Sequence, residues 1–246
     1  MAIANFSFSS LLGSNTNSQN QTLKKLSESF SRLASGSRLT SASSDPAGSA
    51  IASALQSVIV QVGQATRNVG DAVSLVSIAD GAAEQTQNLN IRLQELATQS
   101  ANGTLSDSNR AALQAEFSAV TQEIQRIAET TEFNGVKLLD GSSTSIQIGV
   151  ENDPNSALSV GGLDIKQLAS SLTSLDISTQ AGAQAALDAT QAFAESLTSQ
   201  TSSSIGAAQS RLDSIDNSLR SKQQTDQEAL SRIQDIDYAE EVATAT

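Results

Sequence analysis

The side chains able to do chemistry in this chain are few in kind. Asp235, Asp237, Glu240 and Glu241 gather four carboxylates around Tyr238, the single tyrosine. Such a cluster suggests a hard-cation site, yet it lacks the glycine turn and the ligand spacing of a calcium loop, so it reads as a solvated helix face. Tyr238 acts in catalysis only beside an activating partner, and the sequence offers none; packing at an interface suits it better. The chain has no His and no Cys. Imidazole acid–base chemistry, thiol nucleophiles and ordinary zinc, haem or iron–sulfur ligation are therefore removed. No catalytic, cofactor-binding or metal-ligating residues are assigned, no cofactor is implied, and an enzyme is disfavoured.

A second grouping is Arg92, Leu96 and Glu116. Arg92 and Leu96 share one helical face, and Glu116 falls on the next helix, where an ion pair can form. Taken as residues alone, the trio is a solvated charge pair over a seam leucine. Asn102-Gly-Thr104 fits a glycosylation sequon, and Ser/Thr sugars on the central loop are another option.

Composition points the same way. Of 246 residues only 3% are aromatic and none is Trp. Slender helix seams of Leu, Ile, Val and Ala fit such a chain better than a large spherical core. With 14 basic and 26 acidic residues the net charge is −12, which argues against nucleic acid or an anionic membrane as the main partner. The N-terminus Met1-Ala-Ile-Ala-Asn-Phe has no basic region followed by an apolar run, so a Sec-type signal is not expected, nor is any membrane-spanning segment.

The elements that position these groups are mainly helical. From Ile51 the apolar or small residues fall at Leu55, Val58, Val62, Ala65, Val69, Ala72, Val76, Ala79 and Ala83. Alternating steps of four and three are a coiled-coil seam. The long helix 46–100 opens at Asp45-Pro46, a cap followed by a first-turn proline. At 1.5 Å per residue it would run roughly 80 Å, which predicts a rod. A second helix, 106–130, follows a short connector and packs antiparallel. Residues 132–178 hold a β-hairpin region: two Asn/Asp-Gly turns, then Ser145–Gly149 pairing with Ala157–Val160 across Asn152–Asn155. Ser170 to Thr179 reads as a loop. A return helix, 180–236, carries Leu197, Thr201, Ile205, Ala208, Leu212, Ile215 and Leu219, then a polar patch at Lys222–Asp226 that leaves a bend undecided. The fold class is an elongated antiparallel coiled-coil-like helical bundle with a small β-hairpin. Near the N-terminus, a short helix with Leu23, Leu26, Phe30 and Leu33 on one face ends at Gly36. The Ser/Asn-rich stretch before it looks unstable alone and is expected to be unpaired.

Several motifs resemble bacterial flagellins in order and spacing. Leu33-Ala-Ser-Gly-Ser-Arg-Leu39 resembles the end of their first helix, and Ser43-Ser-Asp-Pro-Ala-Gly-Ser-Ala-Ile-Ala52 the opening of their long helix. Ala65-Thr-Arg-Asn-Val-Gly-Asp-Ala-Val-Ser74, Arg92-Leu-Gln-Glu-Leu-Ala-Thr-Gln-Ser-Ala-Asn102 and Thr131-Glu-Phe-Asn-Gly-Val-Lys-Leu-Leu139 follow. Leu230-Ser-Arg-Ile-Gln-Asp-Ile-Asp-Tyr-Ala-Glu-Glu241 resembles the family's C-terminal signature.

The resemblance implies a self-assembling subunit of the extracellular flagellar filament, exported without a cleaved signal peptide. Residues 1–44 would be an arm and connector like the family's inner D0 tube, 45–236 a D1-like rod, and 237–246 the C-terminal end. The short centre implies no D2 or D3 outer domains. Family members continue past the C-terminal signature with a further helix, which places the end at Thr246 short of the D0 partner for residues Leu23 to Leu33. Implied partners are other flagellin subunits, the export apparatus, hook-associated proteins and, through Arg92, Leu96 and Glu116, the vertebrate Toll-like receptor for flagellin. A hook–filament junction protein, or a non-polymerising secreted receptor ligand, is the alternative. Assembly would bury Leu23, Leu26, Phe30 and Leu33 at subunit interfaces, since an amphipathic helix of that kind is marginal until packed.

Overall fold

The computed structural model describes residues 2–149 and 156–245, with side chains from Thr16 to Gly149 and from Ser156 to Thr244. The chain is mainly helical: α1 (Ala2–Ser35), α2 (Pro46–Ser100), α3 (Asp107–Thr130), α4 (Ile165–Leu172), α5 (Gln180–Gln200), α6 (Ala207–Gln234) and α7 (Tyr238–Ala245). Two small antiparallel pairs, β1 (Glu132–Phe133) with β2 (Val136–Lys137) and β3 (Ser143–Gln147) with β4 (Ala157–Gly161), lie between α3 and α4. Contacts divide the chain into one unit of Met1–Gln61 with Ser221–Thr246 and another of Val62–Arg220.

Helix starts follow local chemistry. Asp45 Oδ1 accepts from the Gly48 N–H at 2.8 Å, with Pro46 at the first helical position; the missing proline donor costs nothing there. Ser106, Asp164 and Thr179 cap α3, α4 and α5 in the same way, accepting from Asn109, Gln167 and Gly182. Asn134 and Gly135 sit at φ of 50° and 80° between β1 and β2, a two-residue hairpin turn whose twist matches the flanking strands.

In the unit 62–220 the core is a set of helix seams. Along α2 the buried seam runs through Val62, Ala65, Val69, Ala72, Val76, Ala79 and Ala83, and the same rhythm continues through Thr86, Asn90, Leu93, Ala97 and Ser100, with Leu75 and Leu96 buried beside it. The stripe is thus longer than its apolar part. Its polar members find partners: Thr86 Oγ1 donates to Ala82 O at 2.8 Å, Asn90 Nδ2 to Thr190 O at 3.0 Å and Ser100 Oγ to Ile177 O at 2.5 Å. Asn90 meets Thr190 on α5 while Asp80 meets Gln209 on α6. One number falls as the other rises, so α2 runs antiparallel to the return helix.

That return helix is interrupted. Thr201–Gly206 is a π-helical segment between α5 and α6. Buried positions on α5 are Ala183, Ala186, Thr190, Phe193 and Leu197, and they resume at Ile205, Ala208, Leu212 and Leu219. Leu197 to Ile205 is one residue more than a heptad. A wider π turn absorbs the surplus and brings Ile205 back onto the seam. At Lys222–Asp226 the α-helix continues, with those two residues ion-paired at 3.1 Å.

Besides the π-helical break in the expected 180–236 helix, two regions differ from the sequence reading. Residues 165–172 form α4, inside the expected β-hairpin region and into the start of the expected Ser170–Thr179 loop: Asp164 caps it, and Ile165, Ala169 and Leu172 bury one face. α1 starts at Ala2 rather than near Leu23, the Ser/Asn-rich stretch simply extending the helix. The β3–β4 pairing is the one the alternation indicates, with Ile146 opposite Leu158; the Asn152–Asn155 turn lies outside the described residues.

In the other unit the 36–45 connector is pinned rather than free. Gly36, at φ 68°, ends α1 in the left-handed conformation that glycine tolerates. Ser37 bridges Asp235, the Arg38 N–H donates to Gln234 O at 2.7 Å, and Arg38 Nη2 donates to Ile233 O at 2.9 Å. The Arg38 guanidinium thereby neutralises the free carbonyl end of α6. Arg32 pairs with Glu241 at 3.6 Å, so the end of α1 is held against α7.

Candidate functional site

The four-carboxylate cluster resolves into separate structural tasks. Asp235 accepts from the Ser231 hydroxyl, Asp237 Oδ1 accepts from the N–H groups of Ala239 and Glu240 at the start of α7, and Glu241 pairs with Arg32. Three of the four carboxylates are thus taken up by local hydrogen bonding, capping and pairing, and among the described residues no group of three acids is gathered for a metal ion. Tyr238 is more than half exposed, its hydroxyl beside Gly36.

Two surfaces remain. On α1, Leu23 is 62% exposed and Phe30 is 61% exposed, while Leu26 and Leu33 are half-buried. The four fall on one stripe because three- and four-residue steps return to the same side of a helix. Lys24, Lys25 and Glu28 flank that stripe. Large apolar groups left in water on a helix whose polar residues lie elsewhere mark a surface for another helix.

On α2 and α3, Arg92 makes two contacts. Its Nη2 lies 2.6 Å from Glu116 Oε1, and its Nη1 lies 2.8 Å from Glu95 Oε2. Hydrogen bonds to Glu95 and then to Glu116 hold the guanidinium pKa above its ordinary value. All three side chains are about half exposed. Leu96 differs: it is 1% exposed. Arg92 and Glu116 come together as the spacing indicates, but Leu96 is part of the core beneath them and cannot itself touch a partner. An i+4 position near the edge of a stripe leaves its side undecided in sequence.

Sequence reasoning missed Glu95 as the second partner of Arg92, although the i,i+3 spacing signals it. It also passed over Arg110, which is buried at the turn between α2 and α3. A charged residue at the start of a helix gives no sign that it will fold inward.

Both surfaces, the α1 stripe and the ion pair of α2 with α3, are faces of helices. The class they define is a structural subunit built for helix-to-helix association. Residues 8–144 match the bacterial flagellin N-terminal helical region, and residues 187–246 match the bacterial flagellin C-terminal helical region. The chain belongs to the bacterial flagellin family, a family of structural proteins rather than enzymes, and its function is that of a subunit of the flagellar filament.

A flagellin from Halalkalibacterium halodurans is 34% identical over 221 residues, covering 89% of this chain and 81% of that protein. The B-type flagellin of Pseudomonas aeruginosa is 46% identical over 132 residues, 53% of this chain but 27% of that longer protein. The crystal structure of Bacillus cereus flagellin superposes with a TM-score of 0.54 at 27% identity, covering 63% of this chain and 88% of that one. With both matched regions those of flagellin, the hook–filament junction alternative is not favoured.

Proposed function

We propose that copies of this chain polymerise by burying the α1 stripe of Leu23, Leu26, Phe30 and Leu33 against neighbouring subunits. The observation that carries this reading is the exposure of Leu23 and Phe30, which lie on one side of the helix with nothing apolar covering them. Each such side chain, once buried, is worth about 1.5–3 kcal/mol. A handful of them per contact suffices for a polymer in which every subunit repeats the same interface. Export through the flagellar apparatus without a cleaved leader, and contact with hook-associated proteins, belong to the same reading. Sequencing the N-terminus of secreted chain tests the export route: a start within the first helix, well beyond Ala2, overturns it.

Sedimentation across a concentration series, with electron microscopy of the pellet, tests the assembly surface. Leu26→Asp should block assembly while circular dichroism still reports a folded chain. Assembly of that variant at the concentration sufficient for the parent would remove the stripe from the mechanism.

A second reading concerns subunits outside the filament. The exposed Arg92–Glu116 pair supports recognition by the vertebrate Toll-like receptor for flagellin, with Arg92 and Glu116 as contacts and Leu96 holding the surface from below. Arg92→Ala should weaken receptor binding with the fold intact. Leu96→Ala should act only by loosening the helix pair, and so should lower thermal stability in step with binding.

A further inference from the structure

The turn between α2 and α3 carries a chemistry that assembly does not use. Asn102, Gly103 and Thr104 are exposed. The backbone oxygen of Asn102 accepts from Arg110 Nη2 at 2.9 Å and from the Leu105 N–H at 3.3 Å. Its side-chain Oδ1 accepts twice more, from the Thr104 N–H at 3.1 Å and from Thr104 Oγ1 at 3.0 Å. Arg110 is 5% exposed, and its Nη1 has no hydrogen-bond partner. Among the described residues no carboxylate lies within ion-pair distance of it. A buried guanidinium without an anion thus rests on the peptide group that joins Asn102 to Gly103.

We propose that Asn102–Gly103 is a self-modifying site at which the side chain of Asn102 cyclises onto the following peptide nitrogen and is converted to aspartate or isoaspartate. The Gly103 N–H gives its proton to solvent base, and the nitrogen then bonds to Asn102 Cγ. The Cγ–Nδ2 bond breaks, and Nδ2 leaves as ammonia after taking a proton from water. A second water adds to one carbonyl of the resulting succinimide. Cleavage of the Cγ–N bond gives aspartate, and cleavage of the backbone C–N bond gives isoaspartate. Nothing is oxidised or reduced.

Each hydrogen bond at the turn meets one of the charges this sequence develops. When the Gly103 nitrogen loses its proton, negative charge spreads onto the Asn102 backbone oxygen, where Arg110 and Leu105 already donate. When the ring closes, charge builds on Oδ1, where both Thr104 donors already point. Donors fixed in place before reaction stabilise such charge without reorganising. Gly103 leaves the approach open: a Cβ there would find only Gln180 Nε2, at 3.8 Å, within van der Waals range. In the isoaspartate product the backbone carbonyl carbon of Asn102 becomes a carboxylate, so the group that Arg110 already touches gains the negative charge Arg110 lacks.

The chain contains its own comparator. Asn134–Gly135 is also an exposed Asn-Gly pair, but it is held in a tight hairpin turn, and no hydrogen bond reaches the Asn134 side chain among the described residues.

The test ages the full-length folded chain at mildly alkaline pH beside the same chain in urea, with isoaspartate at both positions quantified by peptide mass spectrometry. One charge-assisted hydrogen bond corresponds to about ten-fold in rate, so folded Asn102 should react about ten-fold faster than Asn134. The advantage should vanish in urea. Arg110→Gln should slow the reaction; Thr104→Val, at an exposed position that leaves the core untouched, should slow it several-fold with the fold retained. Faster reaction of Asn102 in urea than in the folded chain, or an unchanged rate in folded Thr104→Val, would overturn the proposal.

Discussion

Asn90, wholly buried on α2, gives its amide Nδ2 to the backbone oxygen of Thr190, wholly buried on α5, at 3.0 Å. Its Oδ1 has no partner. A polar residue in the middle of an apolar seam costs stability, but it ties one helix to one position on its neighbour, because any slip would leave the amide unmatched.

Replacing Asn90 by Leu should therefore stabilise the chain by about 1 kcal/mol. At the same time hydrogen exchange along α2 and α5 should become less uniformly protected, as neighbouring registers gain population. Urea denaturation read alongside exchange separates the two effects. A destabilised Asn90→Leu chain would show that the hydrogen bond outweighs the unmatched oxygen.

The π segment permits a test by deletion. Removing exposed Ser203 restores a seven-residue step from Leu197 to the residue now at 205, so the chain should keep its fold and melt at or above the parent's temperature. Removing exposed Ser214 from regular α6 should instead rotate Ile215 and Leu219 off the seam by about 100°. That loss should cost about 2 kcal/mol or more. Equal melting temperatures for the two deletions would contradict the register argument.

The heptad rhythm shows which faces pack and where the long helix starts, because steps of three and four leave little choice once Asp45-Pro46 sets the beginning. The π turn was missed: Leu197, Thr201 and Ile205 are spaced four and four, a surplus that reads as one unbroken stripe over 180–236, and the only doubt fell on Lys222–Asp226, where the helix is regular. Thr86, Asn90 and Ser100 were hidden because polarity breaks the apolar pattern while the geometry of the stripe continues. α4 was hidden because it is a single amphipathic segment of eight residues, shorter than the windows in which periodicity is readable. At the candidate sites, the partnership of Arg92 with Glu116 was readable from spacing, whereas Leu96, one residue from the seam position Ala97, could fall on either side of the buried edge.

Gly182 offers a sign change. Alanine in place of a helical glycine ordinarily stabilises by about 0.4–1 kcal/mol, and Gly70, with open space around it, should behave so. At Gly182 a Cβ would collide with the backbone oxygen of Asp176. Gly182→Ala should thus destabilise by about 1–3 kcal/mol. Thermal melts of the two variants, measured together, should move in opposite directions.

Acid should weaken the fold through turn carboxylates. The Asp140 carboxyl is held below its ordinary value by the Ser142 N–H and hydroxyl, and Asp176 by the Ser178 hydroxyl and N–H. Groups depressed in the folded state contribute stability above the unfolded value, and that contribution is lost as pH falls through the lower folded value. Urea midpoints followed from about pH 6 to about pH 2 should fall in that window, and the fall should be shallower in Asp140→Asn with Asp176→Asn. An identical acid limb in the double variant would assign the loss to other groups.

Tyr238 is the only tyrosine in a chain without tryptophan, and its ring stands at the start of α7 with the hydroxyl beside Gly36. Ultraviolet emission excited above the phenylalanine band therefore comes from one place, the junction where the end of α1 meets α7. The rest of the molecule is dark at those wavelengths. With no indole to draw off the excitation, the quantum yield and anisotropy of this single fluorophore follow the terminal helices directly, free of any label.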